Sequence, residues 1–268
     1  MKKLRMFSTV SACLIAACLS TSTSAAVTAY AQDFEAMTPS QGYPPNDLSA
    51  DGWKIYGFAW DTNPYTGPAN LEYDYGPFDA ANGDPGSIQG VATGEGSQGD
   101  NALNKYSDYN NTDQSQGPCD PPSVPCVPNL YIQAITFQTQ TIAAGDAGVW
   151  RFAYDAKIGN LVADSSASAY IQTLDSTFGF QKAVVVNDST NLPIEWGRYS
   201  LDLLIDSTMV GDILQFGFSA TSTAYRGSGV FYDNLSFSQV PLPGAVWLFG
   251  SGLIGLVGVA RKRKSNLI

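Results

Sequence analysis

The sequence predicts an all-β protein, built as a two-sheet antiparallel β-sandwich of the jelly-roll type, between two apolar end segments. Short runs rich in Val, Ile, Tyr, Phe, Trp and Thr alternate apolar and polar residues, which is the pattern of half-buried strands. Stretches rich in Gly, Pro, Asn and Asp separate these runs. Between the two ends, no stretch repeats apolar residues every 3.6 positions over the length of a helix.

The strand patterns cover most of the region from residue 32 to residue 239. The clearest span Trp53–Trp60, Leu130–Gln140, Gly148–Ala156, Ala167–Leu174, Gln181–Val186, Arg198–Ile205, Ile213–Ala220 and Val230–Ser238. From residue 77 to residue 128 the composition shifts to Gly, Asn, Asp, Ser and Pro, and only the weaker runs Ile88–Val91 and Leu103–Tyr109 indicate strands. About ten strands suit one sandwich domain, with this Gly-rich region as long loops on one side.

The first 31 residues predict a secretory signal peptide. Basic residues within the first five positions precede an apolar stretch, Val10–Leu19, and a Ser-, Thr- and Ala-rich segment ends in Ala29-Tyr30-Ala31. This small-x-small pattern predicts cleavage by signal peptidase after Ala31, so that the mature chain begins at Gln32. The segment Ile15–Cys18 also resembles a bacterial lipobox, which leaves Cys18 as an alternative, lipid-modified first residue.

The last 29 residues, 240–268, predict a membrane-spanning segment. No charge occurs from Val240 to Ala260, and the basic block Arg261, Lys262, Arg263 and Lys264 follows. At about 1.5 Å per residue, a helix over this run has nearly the length of a bilayer core of about 30 Å. We place the transmembrane helix at 243–260, with the basic stop 261–264 in the cytoplasm and the rest of the chain outside.

The same tail resembles a PEP-CTERM sorting signal, which occurs on exported proteins of Gram-negative bacteria that make extracellular polysaccharide. The likeness rests on the basic block and on Val240, Pro241, Leu242, Pro243, Trp247, Ser251 and Gly252, with Leu242 where the name-giving pattern has Glu. It implies that exosortase, a membrane-embedded cysteine protease, recognises the tail and cuts near its Pro-x-Pro element. The chain would then have a transient inner-membrane anchor, with its ectodomain in the periplasm, before it reaches the outer surface or the extracellular matrix. A plain C-terminal membrane anchor is the alternative.

Charge and cysteine content fit an exported ectodomain at 32–239. The chain has a net charge of −10, and all of its acidic residues lie in this region, whereas both ends carry only basic ones. Such an acidic surface repels nucleic acid and excludes it as a partner. Cys119 and Cys126 are the cysteines of this region, and in an oxidising compartment we expect them to form a disulfide. A metal or redox site is the alternative, but it lacks both a Cys-x-x-Cys spacing and histidine partners.

Parts of the ectodomain resemble the galactose-binding-like jelly rolls of carbohydrate-binding modules. The likeness rests on Val149–Asn160 and on a final hairpin formed by Leu214–Ser219 and Val230–Phe237. It implies that Asp233 on the closing strand and Glu35 on the first strand, at Asp33-Phe34-Glu35, hold a structural calcium ion. The alternative is that Asp233 is a solvated residue at a strand bend. No sugar-binding residues can be assigned from the sequence, although Trp53 and Trp60 should point to opposite faces of their strand because their separation is odd.

The sequence also narrows the possible chemistry. The chain has no histidine, which excludes Ser-His-Asp and Cys-His catalysis and the usual zinc sites. The ectodomain glutamates do not form the pattern of jelly-roll glycanases, and no catalytic residue is assigned. We therefore expect a non-catalytic cell-surface or matrix protein, with extracellular polysaccharide as its candidate partner in a biofilm. A calcium-stabilised structural or adhesive protein and a carboxylate-based glycoside hydrolase are the alternatives.

Overall fold

The computed structural model describes residues 26–39, 41, 46–61, 70–79, 89–107, 130–161, 165–222 and 228–241. Within these ranges the chain forms twelve strands, one short α-helix, α1 (Asp47–Ala50), which the side chain of Asn46 caps, and one turn of 3-10 helix, Ser207–Met209. The strands are β1 (Tyr30–Gln32), β2 (Lys54–Asp61), β3 (Asn70–Asp79), β4 (Gln89–Thr93), β5 (Asn101–Ser107), β6 (Leu130–Thr141), β7 (Gly148–Ile158), β8 (Ser166–Leu174), β9 (Gln181–Asp188), β10 (Gly197–Ile205), β11 (Ile213–Ser222) and β12 (Ser228–Gln239).

The strands form two six-stranded antiparallel sheets that pack face to face. The first sheet has the order β10-β7-β12-β5-β4, and β1 pairs with the second half of β12. The second sheet has the order β3-β2-β6-β11-β8-β9. From β9 onward, each strand lies in the other sheet from the strand before it, so β10, β11 and β12 alternate between the layers. The predicted all-β, two-sheet antiparallel sandwich is therefore confirmed.

Aromatic side chains fill the space between the sheets. Phe218 of β11 stacks on Tyr232 of β12 with ring centroids 3.7 Å apart, and Phe216 stacks on Phe237 at 4.2 Å. Phe152 of β7 contacts both phenylalanines of β11, at 5.1 and 5.4 Å. All five rings are fully buried, so they form the centre of the core and hold β11 against the first sheet.

The strong strand predictions each match an observed strand, and the two weak ones match β4 and β5. The edge strand β3 was not predicted because Gly76 and Pro77 interrupt its alternation. Proline is tolerated there, since an edge strand need not donate every N–H. Gly76 has a φ of +109°, and the register between β2 and β3 shifts beside it. The short strand β1, Tyr30–Gln32, begins ahead of the predicted cleavage site after Ala31 and ends before Asp33, so the placement of the first strand at Asp33-Phe34-Glu35 was wrong and Glu35 lies in the turn that follows β1.

Several predicted features lie outside the described residues. They are the signal sequence up to residue 25, the transmembrane helix 243–260, both cysteines of the expected disulfide and the sorting residues from Leu242 to Lys264. Among the described residues, no helix is both long enough and apolar enough to cross a membrane. The described chain ends at Pro241, directly after β12, where the main-chain N–H of Val240 donates to the carbonyl of Val149 at 2.7 Å.

Gly217 offers a test of the packing between β11 and β6. A Cβ atom at this position would lie 2.0 Å from the carbonyl oxygen of Thr136 and 2.7 Å from the Cα of Phe137. We expect Gly217→Ala to lower the free energy of unfolding by about 1–3 kcal/mol, because the strands must separate to admit the methyl group. Gly145→Ala is the control, since its Cβ would meet no atom within 4 Å. Equal urea midpoints for the two variants would contradict this account of the strand contact.

Candidate functional site

A groove of about 930 Å³ crosses the outer face of the second sheet. Its floor and walls come from alternate residues of neighbouring strands, because alternate side chains of a strand share a face. The described residues that line it are Lys54, Tyr56, Phe58, Gly76, Gln133, Ile135, Phe137, Thr139, Ser168, Tyr170, Gln172, Leu174, Phe178, Gly179, Gln181, Val184, Val186, Gln215 and Ser219.

An aromatic row lies along one side of the groove, and two of its residues, Tyr56 and Phe58, line the groove itself. Tyr56, Phe58 and Trp60 follow one another at alternate positions of β2, and all three are half-buried. The ring centroids of Tyr56 and Phe58 are 4.8 Å apart, and those of Phe58 and Trp60 are 6.0 Å apart. Trp53, by contrast, is fully buried in the core, which confirms that it and Trp60 point to opposite faces. The row therefore presents a nearly continuous apolar surface beside the groove.

Tyr56 is held in place by Asp74 of the neighbouring strand β3. The Tyr56 hydroxyl donates a hydrogen bond to the Asp74 carboxylate, and this bond raises the pKa of the tyrosine above its ordinary value. The tyrosine therefore stays neutral and keeps its ring aligned with Phe58. No sequence pattern singled out Asp74, whose carboxylate orients an aromatic ring in the structure.

A chain of glutamine amides crosses the floor. Gln181 of β9 donates to Gln172 of β8, and Gln172 donates in turn to Gln215 of β11 at 2.8 Å. On the neighbouring part of the floor, Gln133 of β6 donates to the hydroxyl of Ser219 at 3.3 Å. Because these residues are far apart in sequence, only the strand order brings their amides together. The floor is therefore polar without being charged.

Tyr170 contributes an unpaired hydroxyl to the same floor. The residue is 6% exposed, and its hydroxyl makes no hydrogen bond among the described residues. Burial raises the pKa of this phenol, so the group is a neutral donor and acceptor. A buried hydroxyl without a partner is unfavourable, which makes Tyr170 a candidate contact for a polar ligand.

Exposed apolar residues form the opposite wall. Val184 and Val186 project from the edge strand β9, and Phe178, which is 57% exposed, projects from the turn before it. That turn is held by Asp175, whose carboxylate accepts hydrogen bonds from the Thr177 hydroxyl at 2.8 Å and from the Gly179 amide at 2.9 Å. These bonds hold the pKa of Asp175 below its ordinary range, so the turn keeps its anchor at neutral pH.

The groove differs in charge from the rest of the ectodomain. Lys54 is the one charged side chain among its described lining residues, and none of them is an aspartate or a glutamate. Rings on one side, apolar walls and amides on the floor suit a ligand with apolar faces and neutral polar edges. The sequence placed Trp60 on the face opposite Trp53 but did not identify the glutamines, because glutamine has no distinctive pattern or spacing.

A second, smaller cavity of about 460 Å³ lies against the first sheet, beside Asp155, Arg198 and Asn234. Its polar groups already bind one another. Arg198 donates to the Asp155 carboxylate at 3.1 Å and to the Asn234 carbonyl at 2.6 Å, and the Asn234 amide donates to Asp155 at 2.9 Å. These internal bonds make the cavity a weaker candidate than the groove.

Glu35 and Asp233, the two residues suggested for calcium, both accept hydrogen bonds from backbone N–H groups in the segment that joins β4 to β5. The carboxylate of Glu35 accepts from the N–H groups of Asp100 and Asn101, at 3.1 and 2.9 Å. The carboxylate of Asp233 accepts from the N–H groups of Ser97 and Asn234, at 2.7 and 2.6 Å. Burial raises the pKa of Asp233, which is 1% exposed, while these amides favour its charged form. Both carboxylates therefore fix the connection between β4 and β5.

This arrangement does not match what calcium requires. Calcium takes six to eight oxygen ligands, whereas here all four carboxylate oxygens accept N–H groups. No group of three or more Asp, Glu, Cys or His residues in the described part of the chain is placed to hold a metal ion. Calcium binding by Glu35 and Asp233 stays a prediction from the resemblance, and we assign it no role in the groove.

The comparison with family models identifies the tail. Residues 239–264 match the PEP-CTERM protein-sorting motif. The suspected sorting signal is therefore confirmed, and it begins at the last residue of β12. A comparison with curated protein sequences gives no significant match.

Solved structures show distant likeness to the chain. The CBM22-2 xylan-binding domain of Xyn10C from Paenibacillus barcinonensis matches with a TM-score of 0.37 and 8% identity, over 79% of this chain and 99% of that domain. An apo cyclase from Fischerella sp. matches with a TM-score of 0.40 and 15% identity, over 80% of this chain and 98% of the cyclase. Tailspike protein 4 of bacteriophage CBA120 matches with a TM-score of 0.35 and 12% identity over 57% of this chain, which spans only 17% of the tailspike chain. Likeness at this level has no bearing on activity or ligand.

A pair of buried tyrosines tests whether the Tyr170 hydroxyl lacks a partner within the protein. Tyr170→Phe should leave the free energy of unfolding unchanged or raise it by about 1 kcal/mol, because it removes an unsatisfied group. Tyr154→Phe is the matched control, since the Tyr154 hydroxyl accepts from the Asn187 amide at 3.0 Å and its loss should cost about 1 kcal/mol. Urea unfolding of both variants measures the difference. An equal loss of stability in both would show that the Tyr170 hydroxyl has an internal partner.

Proposed function

We propose that the chain is an exported, non-catalytic surface or matrix protein that binds a neutral polysaccharide along the groove of its second sheet. The observation that carries this proposal is the aromatic row Tyr56–Phe58–Trp60, placed beside a floor of neutral amides. The C–H faces of sugars pack on aromatic rings, while sugar hydroxyls bond to amides and hydroxyls. The groove offers both kinds of contact along its length.

The dimensions favour an extended ligand. Alternate residues of a strand recur about every 6.6 Å, so three rings in succession can contact more than one sugar unit. The volume of about 930 Å³ lies at the upper end of the range of about 300–1,000 Å³ that is usual for small-molecule sites. The groove lies between β2 and β9, and the aromatic row runs along one side of it in the strand direction, so a bound chain can follow the row.

The charges favour a neutral polysaccharide over an acidic one. Lys54 is the single charge among the described lining residues, and one cation at the rim cannot neutralise a polyanion. The chain as a whole carries a net charge of −10, which repels uronate-rich or sulfated polymers.

The sorting motif supplies the cellular setting. Export by a signal peptide and processing of the PEP-CTERM motif by an exosortase would release the jelly-roll ectodomain from its transient membrane helix at 243–260. The Cys119–Cys126 disulfide belongs to the same proposal, because it forms only in an oxidising compartment. Binding of exopolysaccharide would then keep the protein in the biofilm matrix.

The two alternative functions have less support. A glycoside hydrolase on this sandwich needs a pair of carboxylates about 5–9.5 Å apart in its cleft, and the described lining residues include none. A calcium-stabilised adhesive protein needs a metal site, whereas Glu35 and Asp233 bind backbone amides.

Glycan binding can be tested with two matched phenylalanine variants of the exported ectodomain. Phe58 lies on the groove side of β2, and Phe231 is equally half-buried on the outer face of the first sheet. We expect Phe58→Ala to weaken binding to a soluble neutral glucan or xylan about tenfold, since a lost aromatic contact of about 1.4 kcal/mol corresponds to that factor. Phe231→Ala should bind like the wild type. Affinity electrophoresis and calorimetry give the two affinities.

The outcomes of that experiment separate the candidate functions. Wild-type protein that binds no neutral polysaccharide, or that loses binding equally in both variants, would contradict the groove as the binding site. Binding to a polyuronate in preference to neutral polymers would contradict the charge argument. Release of reducing ends from any polymer would favour the hydrolase.

Processing of the tail can be tested by mass mapping of the C-terminus in cells with and without the exosortase. We expect the mature wild-type protein to lack the block Arg261–Lys264 and the exosortase-deficient strain to retain it in the membrane fraction. Changing Pro241 and Pro243 to alanine should reduce processing in the wild-type strain. A mature wild-type protein that retains Arg261–Lys264 would favour the plain membrane anchor.

A further inference from the structure

The residues just before the predicted mature start are part of the folded sandwich. Val27 is 7% exposed and belongs to the hydrophobic core. Gln140 of β6 binds the main chain of Thr28 on both sides, accepting from its N–H at 2.6 Å and donating to its carbonyl at 3.1 Å. The chain from Val27 onward is therefore fixed to the sandwich before β1 begins.

Tyr30 ties this segment to both sheets. In β1 it pairs with Phe237 of the first sheet. Its hydroxyl donates to the Asp51 carboxylate and accepts from the indole of Trp53 at 3.0 Å, and its ring packs edge-on against that of Trp53 at 6.2 Å. Cleavage after Ala31 would remove these contacts and leave the second half of β12 without a neighbour on that side.

A buried carboxylate lies next to the main-chain nitrogen of Val27. Asp146, in the turn between β6 and β7, is 4% exposed, and its Oδ2 accepts from the N–H groups of Val27 at 2.9 Å and Ala143 at 2.7 Å. The ion pairs found among the described residues involve other carboxylates, namely Glu95, Asp155, Asp202 and Asp212. A buried carboxylate normally has a cationic partner, because neutral donors compensate only part of its lost hydration.

The sequence offers a second cleavage site at the required place. Ser24 and Ala26 also form a small-x-small pattern, and they follow the apolar stretch Val10–Leu19 more closely than Ala29 and Ala31 do. Ala26 is exposed, while Val27 directly after it is buried. A cut between them would leave every contact of residues 27–32 intact.

We propose that signal peptidase cleaves between Ala26 and Val27, and that the new α-ammonium group of Val27 forms a buried ion pair with Asp146. Hydrolysis of this peptide bond gives a carboxylate on Ala26 and an amine on Val27, which takes up a proton at neutral pH. That nitrogen already lies 2.9 Å from Asp146, so processing replaces a neutral amide donor with a cationic one and converts the hydrogen bond into an ion pair. The mature ectodomain would thus begin at Val27 rather than at Gln32.

The first test is the N-terminal mass of the full chain exported from a Gram-negative host. We expect a mature protein that begins at Val27, heavier by residues Val27 to Ala31 than one that begins at Gln32. A bulky residue directly before the cut blocks cleavage, so Ala26→Tyr should abolish this product, whereas Ala31→Tyr should leave it unchanged. A start at Gln32, a lipid-modified start at Cys18 or an uncleaved Met1 would each overturn the proposal.

The second test addresses the ion pair in the processed protein. The α-amine of Val27 should escape acylation in the folded wild type and react once urea is added. In Asp146→Asn the amine should become reactive in the folded state, and the melting temperature should fall. Rapid acylation in the folded wild type would overturn the ion pair even with a Val27 start. If Asp146→Asn is not exported, the protection of the wild-type amine still decides the question.

Discussion

The stacking of Phe216 and Phe218 on the first sheet is the constraint on which the rest of the molecule depends. These rings of β11 lie 4.2 and 3.7 Å from Phe237 and Tyr232, and they fix which face of β11 points inward. Because side chains alternate along a strand, Gln215 must then point outward, into the groove. A slip of one residue would put the amide in the core and a phenylalanine in the groove, so core packing also sets the register of the site.

The same alternation divides β2 between core packing and the proposed binding surface. Trp53 and Ile55 point into the core, whereas Tyr56, Phe58 and Trp60 form the aromatic row on the other face. The two sets are interleaved in sequence but separated by the thickness of the sheet. Substitutions in the row should therefore change binding far more than folding. This separation makes the second sheet a suitable scaffold for an extended ligand, because a rigid core fixes the positions of the rings.

Local patterns predicted the strands better than they predicted the site. Alternation of apolar and polar residues is a local signal, so most strands were found within a few residues, whereas Gly76 and Pro77 concealed β3. The odd spacing of Trp53 and Trp60 correctly placed them on opposite faces. The amide floor could not be predicted, because Gln172, Gln181 and Gln215 become neighbours only through the order β11-β8-β9. The resemblance linked Glu35 with Asp233. In the structure both carboxylates contact the connection between β4 and β5, where they accept hydrogen bonds from main-chain N–H groups.

Strand β12 lies close to both proposed cleavage sites, the one near the N-terminus and the one in the C-terminal sorting motif. Its second half pairs with β1 near the N-terminus, and its last residue, Gln239, is also the first residue of the sorting motif. Pro241 follows Val240 and cannot donate a main-chain N–H to a strand ladder. Just after β12, the main-chain N–H of Val240 still donates a hydrogen bond to the carbonyl of Val149 in β7. A cut on the C-terminal side of Val240 would therefore remove none of the described strands, and the same holds for a cut before Val27. All twelve described strands lie between these two points, so the proposed cuts would leave their pairings in place.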